Sequence, residues 1–429
     1  MLFREASYVG NDCAGFLVNL HPSEAWGFSD LTQKDTGYIT HGYHRYPAKY
    51  IPQLAKKLIL TNSNEGDFVV DPFGGCGTTA IEAKMNKRRA LAVDVNPVAV
   101  MISNAKIRAI SPDKLQAAID RFWKRYNATP RVPIPKNERI AHWFRPTKQI
   151  FALARILSAI EEEEDRKYHY FLTCAFSNIL KNCSMWSMKS NKPLFQADKI
   201  PAEPKAQFQR QLRAMTRMNT DYYGKLKENK ALRVPCGVRK GNAQRIPAKK
   251  GEVDLITTSP PYVTSYEYAD LHQLTVLWLN YTKDFQSFRK EFIGSSYAQR
   301  EKNRMGSDIA LKIADELSQQ NAALGGKAAV YFTDMYKVFG EMHRVLRKKG
   351  RTCIVIGDTE LRGVKIENTQ VFIEQLQNLQ FKILDVVARR VISKCIPSTR
   401  DTKTGKFSSV KKSDKVAYPV EYIITAERS

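Results

Sequence analysis

The sequence predicts an α/β chain built on a doubly wound, mostly parallel sheet, and three stretches carry that expectation. An apolar run at 67–70 enters Asp71-Pro72-Phe73-Gly74-Gly75-Cys76-Gly77-Thr78-Thr79, and a helical pattern follows at 80–86. Strand, glycine turn and helix form the unit that cradles a cofactor in such folds. A second strand at 90–93 ends at Asp94. That acid lies about 20 residues beyond the glycines, where a ribose-binding carboxylate is expected. A third apolar run, Val253-Asp254-Leu255-Ile256, stops at Thr257-Thr258-Ser259-Pro260-Pro261-Tyr262. Consecutive prolines offer no N–H to a sheet ladder, so the chain leaves the sheet there as a stiff, exposed turn.

The remaining elements follow from periodicity. Residues 1–40 are mixed, but Trp26, Phe28 and Tyr38 suggest an ordered N-terminal extension. The aromatic-rich run from His41 to Pro52 leads into a helix at 53–60; His41 and His44 each read as packed or surface side chains. A helix continues from Asn96-Pro97 to about residue 109, completing a cofactor-binding half at 1–110. Residues 111–232 break the αβ rhythm with helical patterns at 115–126, 147–159 and 170–182, and read as a basic helical insertion suited to DNA binding or target recognition. Within it, Glu161-Glu162-Glu163-Glu164-Asp165 reads as a solvated helix end, while Arg210, Arg213 and Arg217 fall on one helical face, solvated or in contact with phosphates.

A third strand ends near 238–243, opening a catalytic half at 233–429. It should hold a helix at 269–279 and a long, irregular excursion over the site at 281–328, since structureless stretches of that length are usually functional. An amphipathic helix at 330–346 turns through Lys348-Lys349-Gly350 into a strand at 352–356. The last strands read as 381–387 and 421–425, with a flexible basic loop at 389–415 that can reach DNA.

Composition bounds the function. A chain of 429 residues with 43% hydrophobic side chains can bury a large core, which excludes a disordered chain. No apolar run approaches the roughly 18 residues of a membrane span, and the N-terminus lacks the build of a signal peptide, so a cytoplasmic protein is expected. The net charge of +25 points to a polyanion, with nucleic acid ahead of an anionic membrane surface. The seven cysteines are scattered without metal-ligand or redox spacing, and the histidines form no HExxH cluster, so no metal is expected.

The loop chemistry narrows the ligand. Asp71 opens the glycine loop and no lysine sits inside it. A carboxylate there repels phosphate and attracts an ammonium group, so a nucleoside with a cationic amino-acid end, S-adenosylmethionine, fits. At the proline turn, the Ser259 hydroxyl and the Pro260 carbonyl are acceptors beside the Tyr262 ring. Two acceptors and a flat ring suit a planar base that carries an exocyclic NH2.

These residues carry a resemblance. The stretch 71–79 resembles motif I of the DNA amino-methyltransferases, and Ser259-Pro260-Pro261-Tyr262 resembles their motif IV in its cytosine-N4 form. Tyr46-Pro47-Ala48-Lys49-Tyr50 is similar to their motif X, and Gly241-Asn242-Ala243 sits where the family often has Gly-Asp-Ala. The resemblance implies a Rossmann-like class I methyltransferase fold: a seven-stranded, mostly parallel sheet with helices on both faces, here with the helical insertion. It implies cofactor contacts from Pro47, Lys49, Asp71, Phe73, Gly74, Gly75, Gly77, Thr78, Asp94 and Asn242, and catalysis by Ser259, Pro260, Pro261 and Tyr262. The substrate implied is duplex DNA, with a cognate restriction endonuclease as a partner. Two departures stand: the insertion precedes the third strand, and Asn242 replaces an aspartate.

Rival readings are an adenine-N6 enzyme, an RNA or tRNA amino-methyltransferase, and a nucleic-acid-binding module without activity. A carbon-5 cytosine enzyme needs a nucleophilic cysteine, and Pro235-Cys236 precedes the third strand, away from the proline turn.

Overall fold

The computed structural model describes residues 20–47, 49–129, 132–263, 267–295, 304–391, 399–400, 407–408, 415–416 and 420–429. Its centre is a sheet of β1 (Phe68–Asp71), β2 (Arg89–Asp94), β3 (Cys236–Lys240), β4 (Val253–Thr258), β5 (Leu346–Ile356), β6 (Phe381–Arg390) and β7 (Val420–Arg428). The seven strands lie in the order β3-β2-β1-β4-β5-β7-β6. The pairs from β3 to β5 are parallel, and β7 runs antiparallel to both of its neighbours. The doubly wound, mostly parallel sheet expected from the sequence is therefore present, and its order reverses between β1 and β4. Ligands bind at such a switch point, outside the carboxyl ends of the strands.

Both faces of the sheet are buried, with period-two alternation. Val69, Ala90, Ala92, Leu255 and Val355 point to one face, beneath the helices Pro52–Asn62 and Thr78–Met85. Val70, Leu91, Val93, Ile256 and Ile354 point to the other, beneath the helices Ala322–Val345 and Asn368–Asn378. Trp26, Phe28 and Tyr38 of the N-terminal extension pack on the first of these cores. The helix Pro97–Ile107 joins a third core, in which the helices Pro112–Ala128, Lys148–Glu161, Arg166–Ile179 and Pro204–Glu228 are packed together. The helices of residues 111–232 thus share one core with Val98 and Ile102 before them and with Leu274, Trp278 and Phe288 after them. Arg210, Arg213 and Arg217 are exposed on the longest of these helices, while Phe208, Leu212, Met215 and Tyr222 are buried on the opposite side.

Several expectations are corrected. Glu163 is buried and pairs with Arg125 at 2.9 Å, so the acidic run at 161–165 is not wholly solvated. The helix expected at 269–279 is broken at His272 into Tyr268–Leu271 and Gln273–Trp278. The excursion at 281–328 is structured over much of its length, with helices Phe285–Lys290 and Asp308–Gln320, and residues 296–303 lie outside the described residues. The following helix begins at Ala322, not near 330, and runs through Gly325. A Cβ on Gly325 would lie 1.9 Å from Ser318 Oγ, so this glycine allows two helices to approach closely instead of ending one. At the start of the basic loop expected at 389–415, Arg389 is buried in β6 and pairs with Glu421 at 3.1 Å. Most of that loop lies outside the described residues.

Candidate active site

The glycine loop and the proline turn open into one cavity. Its lining includes Phe73 and Gly75 from the loop, Asp94, Asn242, and Ser259 and Pro261 from the turn. The cavity sits at the carboxyl ends of β1, β2 and β4, as the strand order requires. An arrangement with Ser259 on another face of the sheet is ruled out.

The loop is shaped by close approach. Gly74 donates its N–H to Val93 O at 2.9 Å, and a Cβ on Gly74 would fall 2.7 Å from the Ala92 Cβ. Gly77 has φ +82° at the N-terminus of the helix Thr78–Met85, a conformation that glycine adopts without strain. Ser103 Oγ donates to Gly75 O at 2.8 Å and holds the loop from the next helix. Asp94 accepts Gly75 N–H at 2.8 Å and Asn96 N–H at 2.8 Å, so one carboxylate fixes both the glycine loop and the turn after β2.

Asp71 is almost fully buried and lies behind the lining. Its Oδ1 accepts Phe73 N–H at 3.0 Å and Thr258 Oγ1–H at 2.6 Å, and its Oδ2 accepts Thr79 Oγ1–H at 2.7 Å. Burial lifts its carboxyl to about 6 against these three donors. Burial likewise lifts Asp94 to about 6, opposed by the Asn96 and Gly75 amides.

The turn is held from beneath. Tyr331 OH donates to Pro261 O at 2.8 Å. Tyr262 OH donates to Glu421 Oε1 at 3.4 Å, and Arg389 donates to the other oxygen of the same carboxylate. Gly294 brings a neighbouring segment close, since a Cβ there would lie 2.9 Å from Tyr262 O.

Of the residues singled out in the sequence, Phe73, Gly75, Asp94, Asn242, Ser259 and Pro261 line the cavity. Gly74, Gly77, Thr78, Asp71, Pro260 and Tyr262 are not in the lining. Lys49 points elsewhere, its Nζ donating to His41 O at 3.3 Å, and Pro47 is also absent from the lining.

A family model described as a DNA methylase, covering N6 and N4 methyltransferases, matches residues 19–105 and 253–429. The chain belongs to this DNA methylase family. The match covers six of the seven strands and leaves out the helical insertion and β3. Over 419 residues the chain is 23% identical to the type II methyltransferase M.MvaI of Kocuria varians, covering 89% of this chain and 90% of that protein. It is 20% identical to M.BsoBI of Geobacillus stearothermophilus over 77% of this chain and 76% of that one. A local match of 32% identity over 75 residues, 18% of this chain and 24% of the relative, is to the DNA adenine methyltransferase YhdJ of Escherichia coli.

A DNA methylase takes its methyl group from S-adenosylmethionine, and this cavity fits that donor. Its lining holds two carboxylates, Asp94 and Glu291, and no lysine or arginine. Such a wall favours a cationic ligand and disfavours a phosphate. Tyr46, Phe73, Phe292 and Ile293 give the apolar surface expected around a nucleoside.

Sequence reasoning missed part of this DNA methylase site. Tyr46 lines the cavity in place of Pro47 and Lys49, and its ring lies 4.9 Å from that of His272. Tyr268, Phe292 and Ile293 close the wall from segments with no motif of their own. The one signal for Phe292 and Ile293 was the length of the 281–328 stretch, which suggested a cover; Tyr268 had none. The histidines fall where simple packing put them: His41 Nε2 lies 2.7 Å from Glu82 Oε1, and His44 accepts from Ser177 Oγ at 2.8 Å. Among the described residues no cluster of histidines, cysteines and acids could hold a metal, and no helix is long and apolar enough to cross a membrane.

Proposed function

We propose that this DNA methyltransferase is site-specific and transfers its methyl group to the exocyclic N4 amine of cytosine in duplex DNA, within a modification or restriction–modification system in the cytoplasm. The observation that carries the reading is the shared cavity: Ser259 and Pro261 open into the same space as Gly75, Asp94 and Asn242. The serine at the head of the turn is what favours cytosine-N4.

An exocyclic base amine is a poor nucleophile because its lone pair is delocalised into the ring. Acceptance of its hydrogens by Ser259 Oγ and the Pro260 carbonyl favours a pyramidal nitrogen and frees that pair. The two prolines and the Tyr331 bond to Pro261 O keep the acceptors fixed, so little reorganisation is needed during reaction. The bound donor supplies an electrophilic sulfonium methyl. Asp71, buried behind the lining, acts on its amino-acid end through the loop it holds, Phe73, Gly74, Gly75, Gly77 and Thr78 shape its seat, and Asp94 and Asn242 serve its nucleoside, while Pro47 and Lys49 take no part. A base in duplex DNA must leave the stack to reach the cavity, and Tyr262 supplies a ring beside the turn to hold it.

The adenine-N6 reading is second, favoured by the local likeness to a DNA adenine methyltransferase. The deciding experiment incubates the protein with duplex DNA and labelled S-adenosylmethionine, digests the DNA to nucleosides and identifies the product by mass spectrometry. Label in N4-methylcytidine species supports the proposal; label only in N6-methyladenosine species moves it to the second reading.

A further inference from the structure

The helical insertion carries a feature that the catalytic reading does not use. Between Arg166–Ile179 and Pro204–Glu228 the chain forms a hairpin, paired by an antiparallel bridge between Trp186 and Phe195. Ser187 N–H donates to Leu194 O at 2.8 Å and Gln196 N–H to Met185 O at 2.9 Å, so the arms are in register. The base is fixed from below. Trp186 stacks on Trp143 with ring centroids 5.4 Å apart, and Met185 N–H donates to Trp143 O at 2.8 Å. Lys199 Nζ donates to both Lys181 O and Trp186 O, and Lys181 Nζ to Ser190 O at 2.8 Å.

A hairpin held this firmly still exposes apolar side chains at its tip: Met188 is 39% and Leu194 54% exposed. Lys189 and Lys192 stand exposed between them, and Arg145 and Lys148 are exposed beside the base. No acidic residue occurs between Asp165 and Asp198. A rigid, one-signed, cationic loop with an apolar tip matches a nucleic-acid groove, where phosphates meet the lysines and the apolar tip meets base steps. The segment that enters the hairpin is linked to the cavity wall. Lys181 is within electrostatic reach of Arg45, Arg45 N–H donates to Asn178 Oδ1 at 3.1 Å, and Arg45 directly precedes Tyr46 of the cavity wall.

We infer that the hairpin at residues 185–196 is a docking surface for duplex DNA, with Lys189 and Lys192 on phosphates and Met188 and Leu194 pressed against the bases. This rests on the reading of the enzyme as one that acts on duplex DNA.

The test uses the full chain, a fluorescent DNA duplex and a double-stranded RNA of the same length, with binding measured across a salt series. Lys189→Ala with Lys192→Ala should weaken duplex binding about tenfold at moderate salt and flatten the slope of log K against log salt by about 1.8. Met188→Ala with Leu194→Ala should weaken binding severalfold at every salt concentration with the slope unchanged. Affinity for S-adenosylhomocysteine should stay at the wild-type value in both pairs, which shows that the chain is folded. If the wild type binds duplex DNA and both pairs bind it equally well with the same slope, the hairpin assignment is overturned alone. If the wild type prefers the RNA duplex, or binds no duplex DNA, the duplex-DNA reading falls with it.

Discussion

Thr258 Oγ1 donates to Asp71 Oδ1 at 2.6 Å, joining the last residue of β4 to the last residue of β1. The glycine loop and the proline turn start from these two residues. Their spacing is therefore set by a buried charge-assisted hydrogen bond as well as by the sheet ladder.

Thr258→Val keeps the side-chain shape and removes the donor. A hydrogen bond to a charged group contributes about 1.5–3 kcal/mol, so kcat/KM should fall about tenfold to a hundredfold. Asp71 would also lose a partner that favours its ionised form, which moves the acid limb of the pH–rate profile to higher pH. Thr258→Ser retains the hydroxyl and should restore both quantities. A valine variant with wild-type rate and profile would show that the bond has no part in catalysis.

Ser259→Ala should lower turnover by about a hundredfold or more, the usual cost of one preorganised polar contact at a reacting centre. Tyr262→Ala should also slow turnover, with a larger loss on duplex than on single-stranded substrate. Cofactor affinity, read by titration calorimetry, should be unchanged in both. Asp71→Ala should weaken it, and an unaltered dissociation constant would remove Asp71 from that role.

Cofactor binding should depend on pH near 6. Burial raises both Asp71 and Asp94 to about 6, so both lose their charge as pH falls through that value. Affinity for S-adenosylmethionine should be level above about pH 7 and fall below about pH 6. The buried histidines do not contribute there, since burial pushes His41 and His272 down to about 4 and His44 to about 3. Stability has the opposite sign. A carboxyl raised by folding favours the folded state below its unfolded value, and that contribution is lost as pH rises through about 6. In urea melts without cofactor, Asp71→Asn should therefore gain on the wild type as pH is raised from about 5 to 7. A constant difference between the two proteins would contradict this.

Glu82 is buried and accepts from both Tyr38 OH and His41 Nε2. Glu82→Ala would leave two buried polar groups without a partner and open a cavity, at a cost of about 3–5 kcal/mol. The expected result is a much lower thermal midpoint. Glu82→Gln keeps one acceptor oxygen and should lose less. Equal midpoints for the two variants would mean that the network adds no stability.

The strands of the parallel core were legible because both of their faces are buried, which leaves short apolar runs bounded by glycine and proline. Strand boundaries such as Phe68–Asp71 and Val253–Thr258 lie within a residue or two of the expected ones. The irregular segments were harder. The helix expected to start at 330 runs from Ala322 through Gly325, because a glycine that allows close packing looks in sequence like one that turns the chain. The break at His272 was invisible, since the apolar pattern continues on both sides of it.

What the residues determined alone was local: the glycine loop that follows β1, the acid that ends β2 and the proline turn that ends β4. Each rests on backbone chemistry that neighbours in sequence dictate. Tertiary structure decided which of those groups face the cavity. It turned Asp71 inward onto Thr258 and Thr79, brought Tyr46, Tyr268 and Phe292 into the wall, and seated Tyr262 beside Glu421. Those contacts join residues distant in sequence, 187 positions apart for Asp71 and Thr258, and no local pattern encodes them, because they arise only when the strands pair and the helices close over the sheet.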